Sequence, residues 1–384
     1  MAKITQIIAL FFCCLQFACL EAQFRLGAEQ TKLYLPMLEA QKVAVVGNQT
    51  SRIGNTHLVD SLLSLGVEVV KVFSPEHGFR GTADAGVKVL DGIDEQTGLP
   101  IVSLYGKNKK PSPQQLEDVD VILFDIQDVG ARFYTYISTL HYVMEAAAEN
   151  EVSVVVLDRP NPNGHYVDGP VLDTAFRSFV GMHPVPVVHG MTIGEYAQMI
   201  NGEDWISSPC DLLVVSMIFY QRQISYSLPI QPSPNLPNDI AVNLYPSLCL
   251  FEGTTVSVGR GTENPFQHFG APYLNSSYIF TPVSGTGSKY PKHENNTCYG
   301  FDLRQEISLN ELNLDWLIYC YNQAPEKENF FNKFFDKLAG TDELKEQIIT
   351  GMSAQEIKNS WQEDLVKFSE MRSSYLLYLS LIHI

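Results

Sequence analysis

Glu76 is the residue of this sequence best suited to acid–base chemistry. It lies in a short Ser-Pro-Glu-His-Gly segment, directly after an apolar, β-branched run at 67–73. A carboxyl group held by a rigid turn at the end of a buried strand is partly removed from water, which favours its protonated form and suits it to general-acid catalysis. The alternative is a glutamate that only stabilises the turn. For the neighbouring His77, orientation of a ligand and packing beneath the turn are equally good interpretations.

A second polar cluster follows the apolar run at 119–124. Its members are Asp125, Gln127, Asp128, Arg132, Tyr134 and Tyr136. Two acids, one guanidinium and two phenols form a suitable polar floor for a sugar. A single aspartate in such a place is more often a helix N-cap, and for Arg132 the alternative role is an internal ion pair.

A third set of polar residues lies in the segment at 251–266, which is rich in glycine and hydroxyl groups. Glu252 and Arg260 belong to this segment. They either form a structural ion pair across the loop or contact a ligand, and the sequence favours neither alternative.

Metal and nucleotide sites are disfavoured. His77, Asp125 and Asp128 carry metal-ligating groups, but the chain has no H-E-x-x-H or similar spacing, so we predict no metal site. Gly47 and Gly54 are not spaced as in the G-x-G-x-x-G series that cradles a pyrophosphate. We therefore predict no cofactor.

The elements that position these residues are short apolar runs that alternate with helical patterns. Strands are predicted at 43–46, 67–73, 101–104, 119–124, 152–157 and 211–217, and helices at 57–65, 137–150 and 192–200. Continuous apolar strands with helices between them are typical of a parallel sheet covered on both faces. The predicted fold class is therefore α/β, with a Rossmann-like, mostly parallel sheet.

The carboxyl ends of the predicted strands carry most of the polar residues. In open parallel sheets, ligands bind outside these ends. The polar clusters lie at 47–50, 75–78, 125–132 and 158–164, and they include Asn48 and Asn161. We expect all four to converge on one crevice.

The chain divides into three predicted parts. Residues 1–22 form a signal peptide, and residues 23–270 form the Rossmann-like catalytic domain. From 271 the sequence is first aromatic and then helical, at 309–321, 341–350 and 354–375. We predict that residues 271–384 form a smaller α+β auxiliary domain that closes the crevice.

The N-terminal residues predict export. Lys3 precedes an uncharged apolar run that is long enough for a signal-peptide core but too short to span a bilayer comfortably. A buried N-terminal helix is the alternative, and Cys19 after Phe17 and Ala18 suggests a lipid anchor as a variant of the export signal. No later apolar stretch reaches about 18 residues. We expect a periplasmic or envelope-associated protein without a membrane span.

Charge and cysteine content exclude other classes. The 384 residues include 26 Lys and Arg against 43 Asp and Glu, a net charge of −17, and such a surface repels nucleic-acid phosphates. Nucleic acid is therefore not an expected partner. Beyond the signal there are four cysteines without zinc-site spacing, which we expect to be mostly buried thiols. They are Cys210, Cys249, Cys298 and Cys320.

Five segments of the sequence together resemble one known family. They are VGNQTS at 46–51, SPEHGFRG at 74–81, FDIQDVGARFYTY at 124–136, LDRPNP at 157–162 and EGTTVSVGRGT at 252–262. In this order they are similar to the NamZ-type exo-β-N-acetylmuramidases, a family once catalogued as a domain of unknown function. The resemblance covers nearly the whole chain after the predicted signal.

The resemblance implies a bacterial cell-wall recycling enzyme that removes a terminal N-acetylmuramic acid from peptidoglycan-derived disaccharides or glycan fragments. It also implies a Rossmann-like domain, an auxiliary domain and a cleft between them. Glu76 corresponds to the family's leading catalytic candidate.

Glycoside cleavage needs a second group opposite the acid. Asp125, Asp128 and Glu252 are candidates, and so is the 2-acetamido group of the substrate itself. Together with Glu76 and His77, the two aspartates form the predicted catalytic set.

The lactyl carboxylate of muramic acid requires a local cation in so acidic a protein. Arg80, Arg132 and Arg260 are the candidates. The full predicted substrate-binding set is Asn48, Arg80, Arg132, Tyr134, Tyr136, Asn161, Glu252 and Arg260.

Two functions from other classes fit the same pattern. An exported sugar-binding protein would have the crevice without catalysis, although such a protein has no need of an acid at Glu76. A metal-dependent amidase or esterase acting on cell-wall material would lose activity when treated with a chelator.

Overall fold

The computed structural model describes residues 24–76, 78–80, 91–306 and 308–378. The predicted signal peptide at 1–22 and the predicted site residue His77 lie outside these ranges. Within them the strands are β1 (Lys42–Gly47), β2 (Arg52–Ile53), β3 (Thr56–His57), β4 (Glu68–Ser74), β5 (Gly92–Ile93), β6 (Pro100–Ser103), β7 (Val121–Asp125), β8 (Ser153–Leu157), β9 (Leu212–Val215), β10 (His268–Ala271), β11 (Tyr278–Phe280) and β12 (Cys298–Asp302).

The helices follow the same order along the chain. They are α1 (Thr31–Leu38), α2 (Leu58–Ser64), α3 (Pro113–Leu116), α4 (Tyr136–Glu149), α5 (Ile193–Gly202), α6 (Asp239–Leu248), α7 (Asp315–Gln323), α8 (Phe335–Ala339), α9 (Glu343–Ile349), α10 (Ala354–Ser360) and α11 (Gln362–Ser373). No helix within the described ranges is both long and apolar enough to cross a membrane.

The main sheet has seven strands in the order β5-β6-β4-β1-β7-β8-β9. All neighbouring pairs are parallel except β5 and β6. Without β5, this is the strand order of the doubly wound dinucleotide-binding fold. The predicted α/β class with a Rossmann-like sheet is confirmed.

The central strands are apolar on both sides because helices cover both faces. All five residues of β7 are buried. Ile122 packs in one core cluster with Leu140 of α4, and the next residue, Leu123, packs in another with Leu62 of α2. Side chains alternate across a strand, so a continuous apolar run is what a sheet between two helical layers requires.

Two local predictions have different outcomes. Thr192 caps α5, and Glu195 completes the predicted capping box by accepting a hydrogen bond from the Thr192 N–H. The helix predicted at 354–375 is instead two helices, α10 and α11, which meet at Trp361. The Trp361 indole is buried and donates to Asp168 at 3.1 Å, so a tertiary contact fixes the point where the helix is interrupted.

The C-terminal part contains a three-stranded antiparallel sheet, β10-β12-β11, and the helices α7 to α11. This smaller α+β part agrees with the predicted architecture. The boundary predicted at 270 falls inside β10, and one hydrophobic cluster includes residues on both sides of it, such as Val156 and Phe335. All four described cysteines are free and buried, as predicted.

Arg132 joins the two parts of the chain. Its guanidinium is fully buried and donates to the carbonyl oxygens of Pro170, Val185, Leu338 and Ala339 at 2.6–2.9 Å. The last two carbonyls end α8, where a cation is favourable. Within the described ranges this guanidinium forms no ion pair, and both of its terminal nitrogens donate to backbone carbonyls. The predicted substrate-binding role of Arg132 therefore does not agree with its position.

The residue after α8 is adapted to this contact. Gly340 has φ of 75°, and a Cβ atom there would lie 2.6 Å from Nη2 of Arg132. Glycine is thus required both for the left-handed backbone and for the close approach of the guanidinium.

We predict that Arg132→Met lowers the free energy of unfolding by about 3–5 kcal/mol, because several buried carbonyl groups lose their donor at once. Urea denaturation measures the change. As a matched control, Arg304→Met removes an exposed arginine whose one ion-pair partner among the described residues is Asp302, and should cost less than about 1 kcal/mol. If Arg132→Met leaves the stability unchanged but weakens binding of an anionic substrate, Arg132 is a substrate-binding residue, as the sequence predicted.

Candidate active site

A cleft lies where the carboxyl edge of the main sheet meets the C-terminal part. It consists of an inner cavity of about 80 Å³ and an outer one of about 540 Å³. The two cavities share the lining residues Glu76, Phe133, Thr135, Tyr245 and Arg260. They are therefore two parts of one cleft.

Segments that are distant in the sequence line this cleft. Glu76 follows β4, Tyr134 lies between β7 and α4, and Tyr136 is the first residue of α4. Tyr245 projects from α6, and Arg260 follows the 3₁₀ helix Cys249–Gly253. A further segment is the proline-rich loop at 228–237, which contributes side chains to the inner cavity. Lys337 lines the outer cavity, so the sheet and the C-terminal part both contribute to the site.

Glu76 is half-buried and has a neutral hydrogen-bond partner. Its Oε1 accepts a hydrogen bond from the hydroxyl of Tyr105 at 3.0 Å. Burial and the charge of Glu76 raise the pKa of Tyr105 to about 12, so the phenol keeps its proton. Among the described residues, no lysine, arginine or histidine forms an ion pair with Glu76. Its carboxyl group is therefore available to a ligand in the cleft.

Tyr134 and Tyr136 form a rigid wall of the inner cavity. Their rings meet edge to face with centroids 5.0 Å apart. The hydroxyl of Tyr134 donates to the carbonyl of Pro232 at 2.9 Å, and the buried Asn48 amide donates to the hydroxyl of Tyr136 at 2.9 Å. Burial, and then the charge of Glu76, raise the pKa of Tyr136. Both phenols are neutral, and Asn48 positions one of them without lining the cleft itself.

Glu252 and Arg260 are both ion-paired and exposed to the cleft. Arg260 Nε lies 3.2 Å from Glu252 Oε2, and the guanidinium lies 5.0 Å from the ring centre of Phe266. Both charged residues line the outer cavity, as do Lys109 and Lys337. The two alternatives from the sequence, a structural pair and a ligand contact, are therefore compatible.

Asp125 and Asp128 do not line the cleft, in disagreement with their predicted catalytic role. Asp125 is fully buried and pairs with Arg159 at 2.5 and 2.9 Å. Asp128 is buried beneath the cleft wall, where its Oδ2 accepts from the N–H of Gly130 at 2.7 Å. Burial raises the pKa of Asp128 to about 7. Neither carboxylate can reach a sugar in the cleft without rearrangement.

Two predicted substrate-binding residues have structural partners instead. The Asn161 amide donates to the carbonyl of Met191 at 2.8 Å and is buried. Arg80 forms ion pairs with Asp60 and Asp94 at 3.0 and 2.7 Å. Neither residue lines the cleft, so these predictions do not agree with the geometry.

Several lining residues were not predicted from the sequence. They are Tyr105, Lys109, Ser233, Asn235, Tyr245 and Lys337. Ser233 and Asn235 interrupt the proline-rich run at 228–237, and polar residues in such an ordered loop are a usable signal. Tyr245 lies on an apolar helix and has the pattern of an ordinary core residue.

The described ranges contain no group of three histidine, cysteine or carboxylate side chains arranged to hold a metal ion. Asp125, one of the residues with a metal-ligating group, pairs with Arg159. The described lining of the cleft includes one carboxyl group without an ion-pair partner, one ion pair, tyrosine hydroxyls and two lysines.

Two family models match the chain. The model of the N-terminal part of exo-beta-N-acetylmuramidase NamZ matches residues 43–240, and that of the C-terminal part matches residues 243–378. The peptidoglycan beta-N-acetylmuramidase NamZ of Bacillus subtilis (strain 168) is 40% identical over 372 residues, 90% of this chain and 89% of the relative.

Two solved structures from Bacteroides fragilis NCTC 9343, both described as DUF1343 family proteins, have the same fold. One is 46% identical with a TM-score of 0.87, and the alignment covers 93% of this chain and 99% of that one. The other is 29% identical with a TM-score of 0.81, covering 94% and 100%. The resemblance found in the sequence is confirmed, and the chain belongs to the NamZ family of exo-β-N-acetylmuramidases.

Proposed function

We propose that this protein is an exo-acting glycosidase that releases a terminal N-acetylmuramic acid from peptidoglycan fragments. Family membership supports the class of reaction. The observation that carries the proposal is Glu76, a half-buried carboxyl group in the cleft whose hydrogen-bond partner is the neutral hydroxyl of Tyr105. A sugar-binding protein has no need of such an acid.

In this proposal Glu76 is the general acid. It donates a proton to the glycosidic oxygen as the bond to the anomeric carbon breaks. The Tyr105 hydroxyl holds the carboxyl group in one orientation, and the neutral Tyr134 and Tyr136 form the wall against which the sugar ring lies.

Two groups are suited to stabilise the opposite face of the sugar ring. Glu252 lines the outer cavity and is the second carboxylate among the described lining residues. The other group is the substrate's own 2-acetamido oxygen, which needs only a polarising partner. Asp125 and Asp128 cannot stabilise the sugar ring because both carboxyl groups are buried outside the cleft.

Arg260 is the best-placed cation for the lactyl carboxylate. It lines both cavities, whereas Lys109 and Lys337 line only the outer one. A guanidinium can bind a carboxylate through two parallel hydrogen bonds. Of the three candidates Arg80, Arg132 and Arg260, we therefore assign binding of the lactyl carboxylate to Arg260.

We also propose that the protein is exported and acts in cell-wall recycling. The predicted signal at 1–22 supports this location. N-terminal sequencing of protein purified from its native cells should give a start near Gln23 or a lipidated Cys19. A cytosolic protein that retains residues 1–20 would contradict the proposal.

We predict that Glu76→Gln lowers kcat on a natural disaccharide by roughly 10²- to 10⁴-fold, because the amide cannot donate the proton. The amide oxygen still accepts from Tyr105, so the fold and stability should be retained. An aryl glycoside, whose leaving group needs less protonation, should lose less. Kinetics on both substrates measure the difference, with Glu95→Gln, an exposed glutamate, as the control.

Two other results would contradict the general-acid role of Glu76. Near wild-type rates of Glu76→Gln on both substrates would move the acid to another residue, first of all Glu252. Loss of thermal stability with unchanged activity per folded molecule would assign Glu76 to the turn instead.

We predict that Arg260→Gln raises KM for an N-acetylmuramide at least about tenfold, because a charge-assisted contact to the lactyl carboxylate is lost. Arg260→Lys should recover part of this loss. The variant also leaves Glu252 unpaired, so Glu252→Gln combined with Arg260→Gln is the necessary comparison. If the double variant regains wild-type KM, repulsion by Glu252 and not loss of a carboxylate ligand explains the effect.

A further inference from the structure

A second cavity, separate from the cleft, lies at the carboxyl ends of β1, β7 and β8. Its volume is about 440 Å³, within the range of small-molecule sites. It adjoins the place between β1 and β7 where the strand order reverses, which is where open α/β sheets bind ligands. The proline-rich loop at 228–237 lines both spaces, with Ile230 in this cavity and Asn235 in the cleft.

Arg159 presents one fixed donor to this cavity. The side chain is only 5% exposed. Its Nε and Nη2 donate to Asp125, and Nη2 also donates to the carbonyl of Arg52 at 3.1 Å. Its Nη1 has no acceptor within the described part of the chain, and this nitrogen lies on the edge of the guanidinium away from Asp125.

Arg52 of β2, in the segment after β1, contributes a second donor to the same cavity. Its Nε donates to the carbonyl of Gln49 at 3.2 Å, and its Nη1 donates to that of Asn55 at 3.3 Å. Its Nη2 has no acceptor among the residues that the structure describes. Two guanidinium groups thus line one cavity, each held by hydrogen bonds to protein oxygens and each with one nitrogen that has no acceptor in the described part of the chain.

The charges around the cavity favour a monoanion over a dianion. Asp125 compensates Arg159, and Arg52 forms no ion pair within the described ranges, although Glu29 also lines the cavity. A carboxylate adds one negative charge and a phosphate up to two. Because uncompensated buried charge is costly, the carboxylate is the better fit.

The rest of the lining suits a sugar ring. The half-buried rings of Phe24 and Tyr226 have centroids 5.4 Å apart and offer apolar faces. Oε1 of Gln127 and Oε1 of Glu29 accept no hydrogen bond within the described ranges and are available to sugar hydroxyls. This mixture of aromatic faces and separate polar acceptors differs from a purely apolar groove.

We propose that this cavity is a second binding site, specific for a monosaccharide that carries a carboxylate. The choice of sugar rests on the proposed function, since the product released in the cleft, N-acetylmuramic acid, belongs to this class. The carboxylate would bind between Arg52 and Arg159, and the ring would lie against Phe24 and Tyr226.

The test is calorimetric titration of N-acetylmuramic acid into a variant whose cleft is impaired, Glu76→Gln combined with Arg260→Gln. We expect one saturable site per chain. Adding Arg52→Gln should weaken it at least about tenfold, the loss of one charge-assisted hydrogen bond. Arg25→Gln is the matched control, because Arg25 is exposed and does not line the cavity. N-acetylglucosamine, which lacks the lactyl carboxylate, should bind at least about tenfold more weakly.

Tyr226→Ala provides a second variant that leaves both arginines in place, and it should also weaken binding. No saturable binding, or binding unaffected by both Arg52→Gln and Tyr226→Ala, would overturn the proposal. Displacement of the sugar by inorganic phosphate but not by lactate would overturn the choice of a carboxylate. Hydrolysis by the wild-type protein is measured separately. If the wild-type protein hydrolyses no substrate, the proposed function is wrong, but the binding result for the second cavity remains valid.

Discussion

The buried ion pair between Asp125 and Arg159 is the contact on which the arrangement of the sheet's carboxyl edge depends. It connects the end of β7 to the segment after β8. The loop after β1 joins the same contact, because the hydroxyl of Ser51 donates to the Asp125 carbonyl and Arg159 donates to that of Arg52. Removal of one partner from such a pair typically costs about 3–5 kcal/mol, since the other charge stays buried. Three strand ends are thus held together by this ion pair and two hydrogen bonds.

Two separate cavities, the cleft and the second cavity, lie at this edge of the sheet. The cleft containing Glu76 lies on the side of β4 and the C-terminal part, and the second cavity lies toward β8. The loop at 228–237 borders both and is fixed from each side. The Gln49 amide donates to the carbonyls of Gln231 and Pro232 at 3.2 Å, and the Tyr134 hydroxyl donates to Pro232. A ligand in either space therefore contacts a wall that the other space shares.

The sheet could be predicted from the sequence because its signal is local. Runs such as the one at 152–157 are apolar throughout, and the observed strand Ser153–Leu157 differs from the prediction by one residue. Helix α6 gave no such signal, since it follows a proline-rich run and contains Pro246. The position of Glu76 directly after a strand could also be predicted, because a turn immediately after a buried strand leaves few other positions.

Which polar groups face the cleft could not be predicted, because distant residues decide it. Asp125 has the residue type and position of a ligand, yet Arg159 from the neighbouring strand end occupies its carboxylate. The acceptors of Arg132 include Leu338 and Ala339, about two hundred positions later in the chain. Sequence spacing carries no information about such partners.

The pairing of Arg260 with Glu252 reconciles two opposing requirements of the proposed reaction. An anionic sugar needs a cation in the cleft, but an uncompensated cation near a general acid favours the ionised carboxylate, which has no proton to donate. Arg260 and Glu76 line the same inner cavity. With Glu252 at 3.2 Å, much of the guanidinium's charge is balanced until a substrate carboxylate approaches. The cleft can thus attract an anion through a directional donor while limiting the positive field that acts on its acid.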